Sequence, residues 1–287
     1  MAQEAGRTRF HYGFYAAMKV EYDIIHANVT YEQEIQLGED PIRLDFLIIK
    51  KNPAIVLNDP IGEFFKSVNI FEYKSPEDGL SIDDFYKIQG YGLIYKGFDK
   101  KVNELPVDNI TLTLVRHSYP RDMLHVLKQS RFIILERYPG IYRIDGKISI
   151  PVQLVVSSRL PDGEYEGLKL LASGCTKDAI INYATRAIAS NDENIKTNAG
   201  TVIGICLDIN KELSSQLKED RAMNEVIRDI FKKDFDSARQ DGVNYANERV
   251  ATDMIKNGEP IEKITRYSSL AEDSIRNLAK NLGVIII

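Results

Sequence analysis

Residues 42 to 49, Ile42-Arg43-Leu44-Asp45-Phe46-Leu47-Ile48-Ile49, are apolar on both parities, and a strand of that kind needs cover on both of its faces. This requirement narrows the choice of fold more than any other feature, because it places a sheet between layers of helix. Asp45 is then buried, and a buried carboxylate must be paired or used. A second apolar strand, Asn69-Ile70-Phe71-Glu72-Tyr73-Lys74, stops at Ser75-Pro76. Alternate side chains of a strand share a face, so Glu72 and Lys74 point the same way. Pairing that sets Asp45 beside Glu72 brings two carboxylates together with a lysine one step along. Such carboxylates raise each other's pKa unless a cation lies between them, and an oxygen-only donor set completed by water suits Mg²⁺ or Mn²⁺.

Phosphodiester hydrolysis uses these parts: a metal that polarises a phosphoryl oxygen and activates water, and a lysine that holds or deprotonates that water and steadies phosphate charge. The order Asp45, a connection, then Glu72-Tyr73-Lys74 resembles the PD-(D/E)XK phosphodiesterase superfamily. The longer run through Ser75-Pro76-Glu77-Asp78 and Ser81-Ile82-Asp83-Asp84-Phe85-Tyr86-Lys87 resembles its recombination-promoting nuclease (Rpn) / putative transposase family. The resemblance covers the first half of the chain and its tail. Leu44 stands where the superfamily's name has proline, and the connection from Lys50 to Val68 is long and carries Pro53 and Pro60.

What the resemblance implies is an α/β fold, a restriction-endonuclease-like mixed β-sheet core flanked by helices, with a helical C-terminal region. It implies a Mg²⁺- or Mn²⁺-dependent DNA endonuclease, linked to mobile-element recombination or to defence. Asp45 and Glu72 would hold the metal, the Tyr73 carbonyl would add a ligand, and Lys74 would serve the attacking water. The superfamily places an acid of the first helix beside the metal, and Glu21, inside that helix's apolar stripe, fits this role, with Glu34 as its rival. Related nucleases aim a glutamine and a tyrosine from the helix after the lysine strand at the site. Gln89 is the candidate, although Tyr91 and Tyr95 do not give the usual spacing, and the alternative is a core glutamine bonded to backbone. The competing readings are a solvated Glu72–Lys74 ion pair and a catalytically silent DNA- or protein-binding module.

At a net charge of -5 and pI near 5.6, the chain does not coat nucleic acid by bulk charge, so a nuclease of this composition relies on a local basic track. Arg116, Arg121, Arg131, Arg137, Arg143 and Lys147 supply a candidate track. Cys175 and Cys206 lack metal-ligand spacing and read as reduced core residues of a cytoplasmic protein, and the four histidines form no ligand pair. No membrane span and no signal peptide are expected.

Three-to-four spacing predicts a first helix over 9–25, and alternation predicts an outer strand over 29–37 that forms a hairpin with the Asp45 strand. Ser81 caps a helix over 82–96 in which Gly90 and Gly92 suggest close approach to the sheet. Strands at 110–116 and 131–137 flank a helix at 121–129, and Asp145-Gly146 marks a tight hairpin before a strand at 152–156. Thr176 caps a helix over 177–189. A long helix from Met223 to Met254 suggests a projecting arm or a homodimer contact through the C-terminal helices. The tail resembles a helix-turn-helix, with Ser269 and Glu272 as a capping box. The expected division is a core at 1–172, a helical region at 173–257 and a tail at 258–287.

Overall fold

The computed structural model describes residues 2–22, 29–36, 43–50, 57–98, 101–219, 230, 247–282 and 284. Helix α1 (Ala2–Tyr22) leads into β1 (Val29–Gln36), β2 (Arg43–Lys50) and β3 (Val68–Lys74), followed by α2 (Ile82–Gly97), β4 (Ile110–Arg116), α3 (Arg121–Gln129), β5 (Ile133–Tyr138), β6 (Ile141–Asp145) and β7 (Val152–Val156). These strands form one seven-stranded mixed sheet in the order β1-β2-β3-β4-β7-β6-β5. β1, β2 and β3 run as an antiparallel meander, and β3, β4 and β7 are mutually parallel neighbours. The chain is thus of the mixed α/β class.

Both faces of the inner strands are covered, as their composition demands. On one side α1 lays Phe14 over β3, its ring stacked on Tyr73 at 4.7 Å between centroids and tilted against Phe71. The other face is filled by Phe85 and Ile88 of α2 and Leu124 and Leu127 of α3, packed with Ile70, Leu112 and Leu154 of the sheet. Gly92 lets α2 come close, since a Cβ there would lie 2.6 Å from Ile150 Cδ1 and 3.0 Å from Leu112 Cδ2. Gly90 has no such neighbour, so close approach explains only the second glycine. The tight hairpin turn lies at Pro139-Gly140 and not at Asp145-Gly146: Gly140 takes φ +79 and its carbonyl accepts the Val156 N–H at 2.8 Å. A side chain at Gly140 would strike the backbone of Val156 and Arg159. Gly146 instead begins the longer connection to β7.

Beyond the sheet come α4 (Glu166–Leu170), α5 (Lys177–Ala189), α6 (Glu193–Ile209) and α7 (Lys211–Glu219). Thr176 caps α5 by accepting the Ala179 N–H. Helices α4 and α6 pack on α1, so the region from 173 onward begins as part of the core's own helical layer. The chain divides into two compact units, 1–230 and 231–287. In the second, residues 247–256 are helical, and with α8 (Ile261–Ser268) and α9 (Glu272–Leu282) they enclose a core of Ala251, Ile255, Ile261, Ile264, Ile275 and Ala279. Ser269 closes α8 with φ +56, donating its N–H to the Thr265 carbonyl. Most of the long helix expected from Met223 to Met254 lies outside the described residues, and with it the homodimer contact. Among the described residues no helix is long and apolar enough to cross a membrane.

Candidate functional site

The β2–β3 ladder pairs Ile49 with Val68 through Phe46 with Phe71. One step further the same register sets Asp45 opposite Glu72. There the side chain replaces the ladder: Asp45 Oδ2 accepts the Tyr73 N–H at 2.9 Å. A residue's N–H and C=O face the same neighbouring strand, so the Tyr73 carbonyl also points to the Asp45 side. The parallel strands β3, β4 and β7 end here in register at Lys74, Arg116 and Val156. The carboxyl ends of parallel strands are where open α/β sheets place ligands.

Burial pushes Asp45 up from its ordinary 3.8 to about 6, and the Glu72 charge adds to the rise, while His11, the Tyr73 N–H and Lys74 oppose it. His11 Nδ1, on α1, lies 3.6 Å from Asp45 Oδ1. A surface opening bounded by His11, Tyr12, Gln33 and Asp45 gives this carboxylate access to solvent. Lys74 Nζ sits 2.9 Å from Glu72 Oε1 and 2.9 Å from Asp84 Oδ1, and the lysine side chain is only 5% exposed. Burial works against its charge, but Glu72 and Asp84 outweigh that loss and raise its pKa.

Asp84 belongs to the first turn of α2 and has two tasks. Its Oδ2 accepts from the Ser81 backbone N–H and hydroxyl in a capping box, and its Oδ1 faces Lys74. The helix start thereby fixes the lysine. One turn on, Lys87 Nζ lies 3.5 Å from Glu72 Oε1 and 5.1 Å from the centre of the Tyr91 ring. The charged group is therefore Asp45, Glu72 and Asp84 against Lys74 and Lys87, with His11 beside Asp45.

Four of the residues expected from sequence, Asp45, Glu72, Tyr73 and Lys74, meet at this sheet end; two others do not. Glu21 follows His11 on one continuous helix by ten residues, about 15 Å at 1.5 Å per residue, so α1 cannot bring both to Asp45. Glu21 lies instead among Arg186, Asp59, Glu166 and Glu164; burial first, then the carboxylates, against the pull of Arg186, push it up to about 7. Gln89 stands about 200° around α2 from Lys87 and clamps a backbone: its Nε2 donates to Ile150 O at 2.8 Å and its Oε1 accepts from Ile150 N at 3.3 Å. Glu34 carries a side chain outside the described residues.

Sequence reading missed His11, Asp84 and Lys87. Asp84 was visible only as a capping acid, and Lys87 follows it at the three-residue spacing that shares a helix face. Of the basic track, Arg143 is engaged with Gln153 and Glu63 and packs over Phe64, while Arg116 donates to the Asp78 carbonyl. Arg121, Arg131, Arg137 and Lys147 are exposed.

Among the described residues no group of three or more His, Cys, Asp or Glu side chains is disposed to hold a metal ion. Two carboxylates and a backbone carbonyl still fit a hard cation that keeps several waters and takes further oxygens from a phosphate. No family model matches the chain, and no curated protein or solved structure matches it.

Proposed function

We propose that the chain is a metal-dependent phosphodiesterase acting on DNA, with a restriction-endonuclease-like core. The observation that carries this reading is the junction of Asp45 and Glu72 at the end of the β2–β3 ladder, with Lys74 fixed beside them by Asp84. The meander of β1, β2 and β3, followed by a helix and the parallel strand β4, supports it.

Asp45, Glu72 and the Tyr73 carbonyl would hold Mg²⁺ or Mn²⁺, which when bound supplies Lewis-acid polarisation of the phosphate and a more acidic water. The protein's own groups do the rest. Lys74, its pKa raised by Glu72 and Asp84, is protonated at neutral pH. Its work is then to stabilise phosphate charge and orient water by donating hydrogen bonds, not to take the water's proton. Lys87, with its side chain 43% exposed, is placed to meet a second phosphate oxygen. The exposed Arg121, Arg131, Arg137 and Lys147 offer backbone contacts that position DNA without reading its sequence.

A second reading, a silent DNA- or protein-binding module, draws on one observation: Glu72 already faces two lysines, so the cluster is partly neutralised without a metal. Lys74→Ala separates the two readings. In the active enzyme, loss of a like charge beside the cation leaves Mn²⁺ affinity the same or tighter in calorimetry, while cleavage falls by about a hundredfold or more. Lys74→Ala cleaving as fast as wild type would defeat the assignment.

A further inference from the structure

Arg159, just past β7, carries a guanidinium that is exposed and yet fixed in place. Its Cζ lies 3.8 Å from the centre of the Tyr119 ring, and its Nη1 donates to the Tyr142 hydroxyl at 2.7 Å. The two tyrosines are themselves anchored. Their rings meet edge to face at 5.6 Å between centroids, Tyr142 belongs to the core beneath α2 and α3, and Tyr119 packs against that core. Stacking occupies one face of the guanidinium, and Tyr142 takes one of its five N–H donors. Among the described residues this group makes no other hydrogen bond. Glu136 also bears on it, but Glu136 Oε1 already accepts the Gly140 N–H at 3.1 Å. An exposed arginine usually keeps its rotamer freedom, and ordering it costs entropy. One whose planar fork is fixed in advance, with donors left over, is suited to take a phosphate.

Its place in the fold points to the same ligand. Strands β3, β4 and β7 end in register at Lys74, Arg116 and Val156. Partners in register on neighbouring strands share a face of the sheet, so Arg116 leaves it on the side of Lys74, towards α2. The Arg116 Nε is spent on the Asp78 carbonyl at 3.2 Å, which leaves its two Nη groups. Arg159 follows on that same side, since Tyr119 and Tyr142 pack there. Lys74, Arg116 and Arg159 thus succeed one another across the carboxyl ends of the parallel strands, where open α/β sheets place ligands. Neighbouring strands lie about 4.8 Å apart, so the line from β3 to β7 spans roughly 10 Å. That is about three nucleotides of one DNA strand, at roughly 3.4 Å of rise each.

We infer that Arg159 is a phosphate-binding residue: it grips the DNA backbone about three nucleotides from the bond served by Lys74, at the far end of a track that crosses the strand ends through Arg116. The inference rests on the proposed phosphodiesterase reading and states where its substrate lies. A backbone contact carries no sequence information, so its loss weakens binding to every duplex alike.

The test measures binding of the full-length chain to fluorescein-labelled duplexes of two unrelated sequences by anisotropy, in EDTA so that no cleavage occurs, over roughly 50 to 200 mM salt. Arg159→Ala should bind both duplexes about tenfold more weakly at the low-salt end. Its plot of log affinity against log salt should be shallower by about 0.9, the share of one phosphate. Arg159→Lys, which keeps the charge, should keep the wild-type slope. Lys128→Ala, the same loss of charge at the other end of α3, should bind as wild type does. With Mg²⁺, Arg159→Ala should raise KM for cleavage and leave kcat unchanged. Arg159→Gln retains a donor for Tyr142 while removing the charge, and it decides the matter if the alanine variant does not fold. Wild-type binding with an unchanged slope in the uncharged variants, a loss confined to one sequence, or an equal loss in Lys128→Ala would overturn this inference alone. A folded wild-type chain that binds neither duplex at about 50 mM salt would overturn the phosphodiesterase reading and this inference with it.

Discussion

Replacing Asp45 by asparagine should stabilise the metal-free protein at alkaline pH while removing its metal affinity. Asp45 is ionised less readily in the fold than in the unfolded chain, its pKa raised from 3.8 to about 6 by burial and by Glu72. The folded state therefore binds this proton more strongly, and stability falls as pH rises from 3.8 through 6, with the whole loss present above that. At 1.36 kcal/mol per pH unit the gap corresponds to about 3 kcal/mol at pH 8 and roughly half of that at pH 5. The Asp45→Asn side chain would keep an oxygen for the Tyr73 N–H, and Asp45 is 15% exposed, so a realised gain of about 2 kcal/mol is expected, a rise in Tm of about 5 °C for a unit of this size. Thermal unfolding of Asp45→Asn and wild type at pH 5 and pH 8, in EDTA and then in Mn²⁺, reads this directly. The variant should melt higher in EDTA at pH 8, with a smaller advantage at pH 5, and only wild type should rise with Mn²⁺. A variant that melts lower at pH 8, or gains equally at both pH values, would refute the electrostatic reasoning.

Glu21→Gln should also stabilise the protein above pH 7, by at most about 3 kcal/mol since solvent reaches this half-buried group, with the gain fading from pH 7 towards 4.5; Mn²⁺ affinity, read by calorimetry, should not change. Gln89→Ala leaves the Ile150 N–H and C=O without their buried partner and should cost about 1–3 kcal/mol for each group stranded in urea unfolding, while the specific activity of the folded fraction stays at the wild-type level. Deleting 231–287 should leave a cooperatively melting first unit. Deleting only 258–287 should expose Ala251 and Ile255, which pack on Ile261, Ile264 and Ile275, and this shorter deletion should bind a hydrophobic dye more strongly than the longer one.

Much of the sheet was legible because its strands carry strong local patterns: β4 and α3 fall where alternation and helical spacing place them. The turn at Pro139-Gly140 was less visible than Asp145-Gly146, since what selects it is a close approach to Val156 and Arg159 far along the chain. Asp45, Glu72, Tyr73 and Lys74 could be read together because a strand's two-residue period fixes their faces. Glu21 and Gln89 could not, because position inside an apolar stripe says that a polar group needs a partner but not which partner. For Glu21 the opposing charge is Arg186 of α5, and for Gln89 the partner is the backbone before β7, the alternative that its place on the packing face left open. His11 has no periodic signature; only the docking angle of α1 sets it beside Asp45.

The most direct measurement is nicking of supercoiled plasmid by the purified full-length chain with Mg²⁺ or Mn²⁺ and with EDTA. The expected result is nicking that requires the divalent ion and is lost in Asp45→Asn while the protein stays folded. No nicking by a folded wild-type chain in either metal, or nicking that persists in Asp45→Asn, would contradict it.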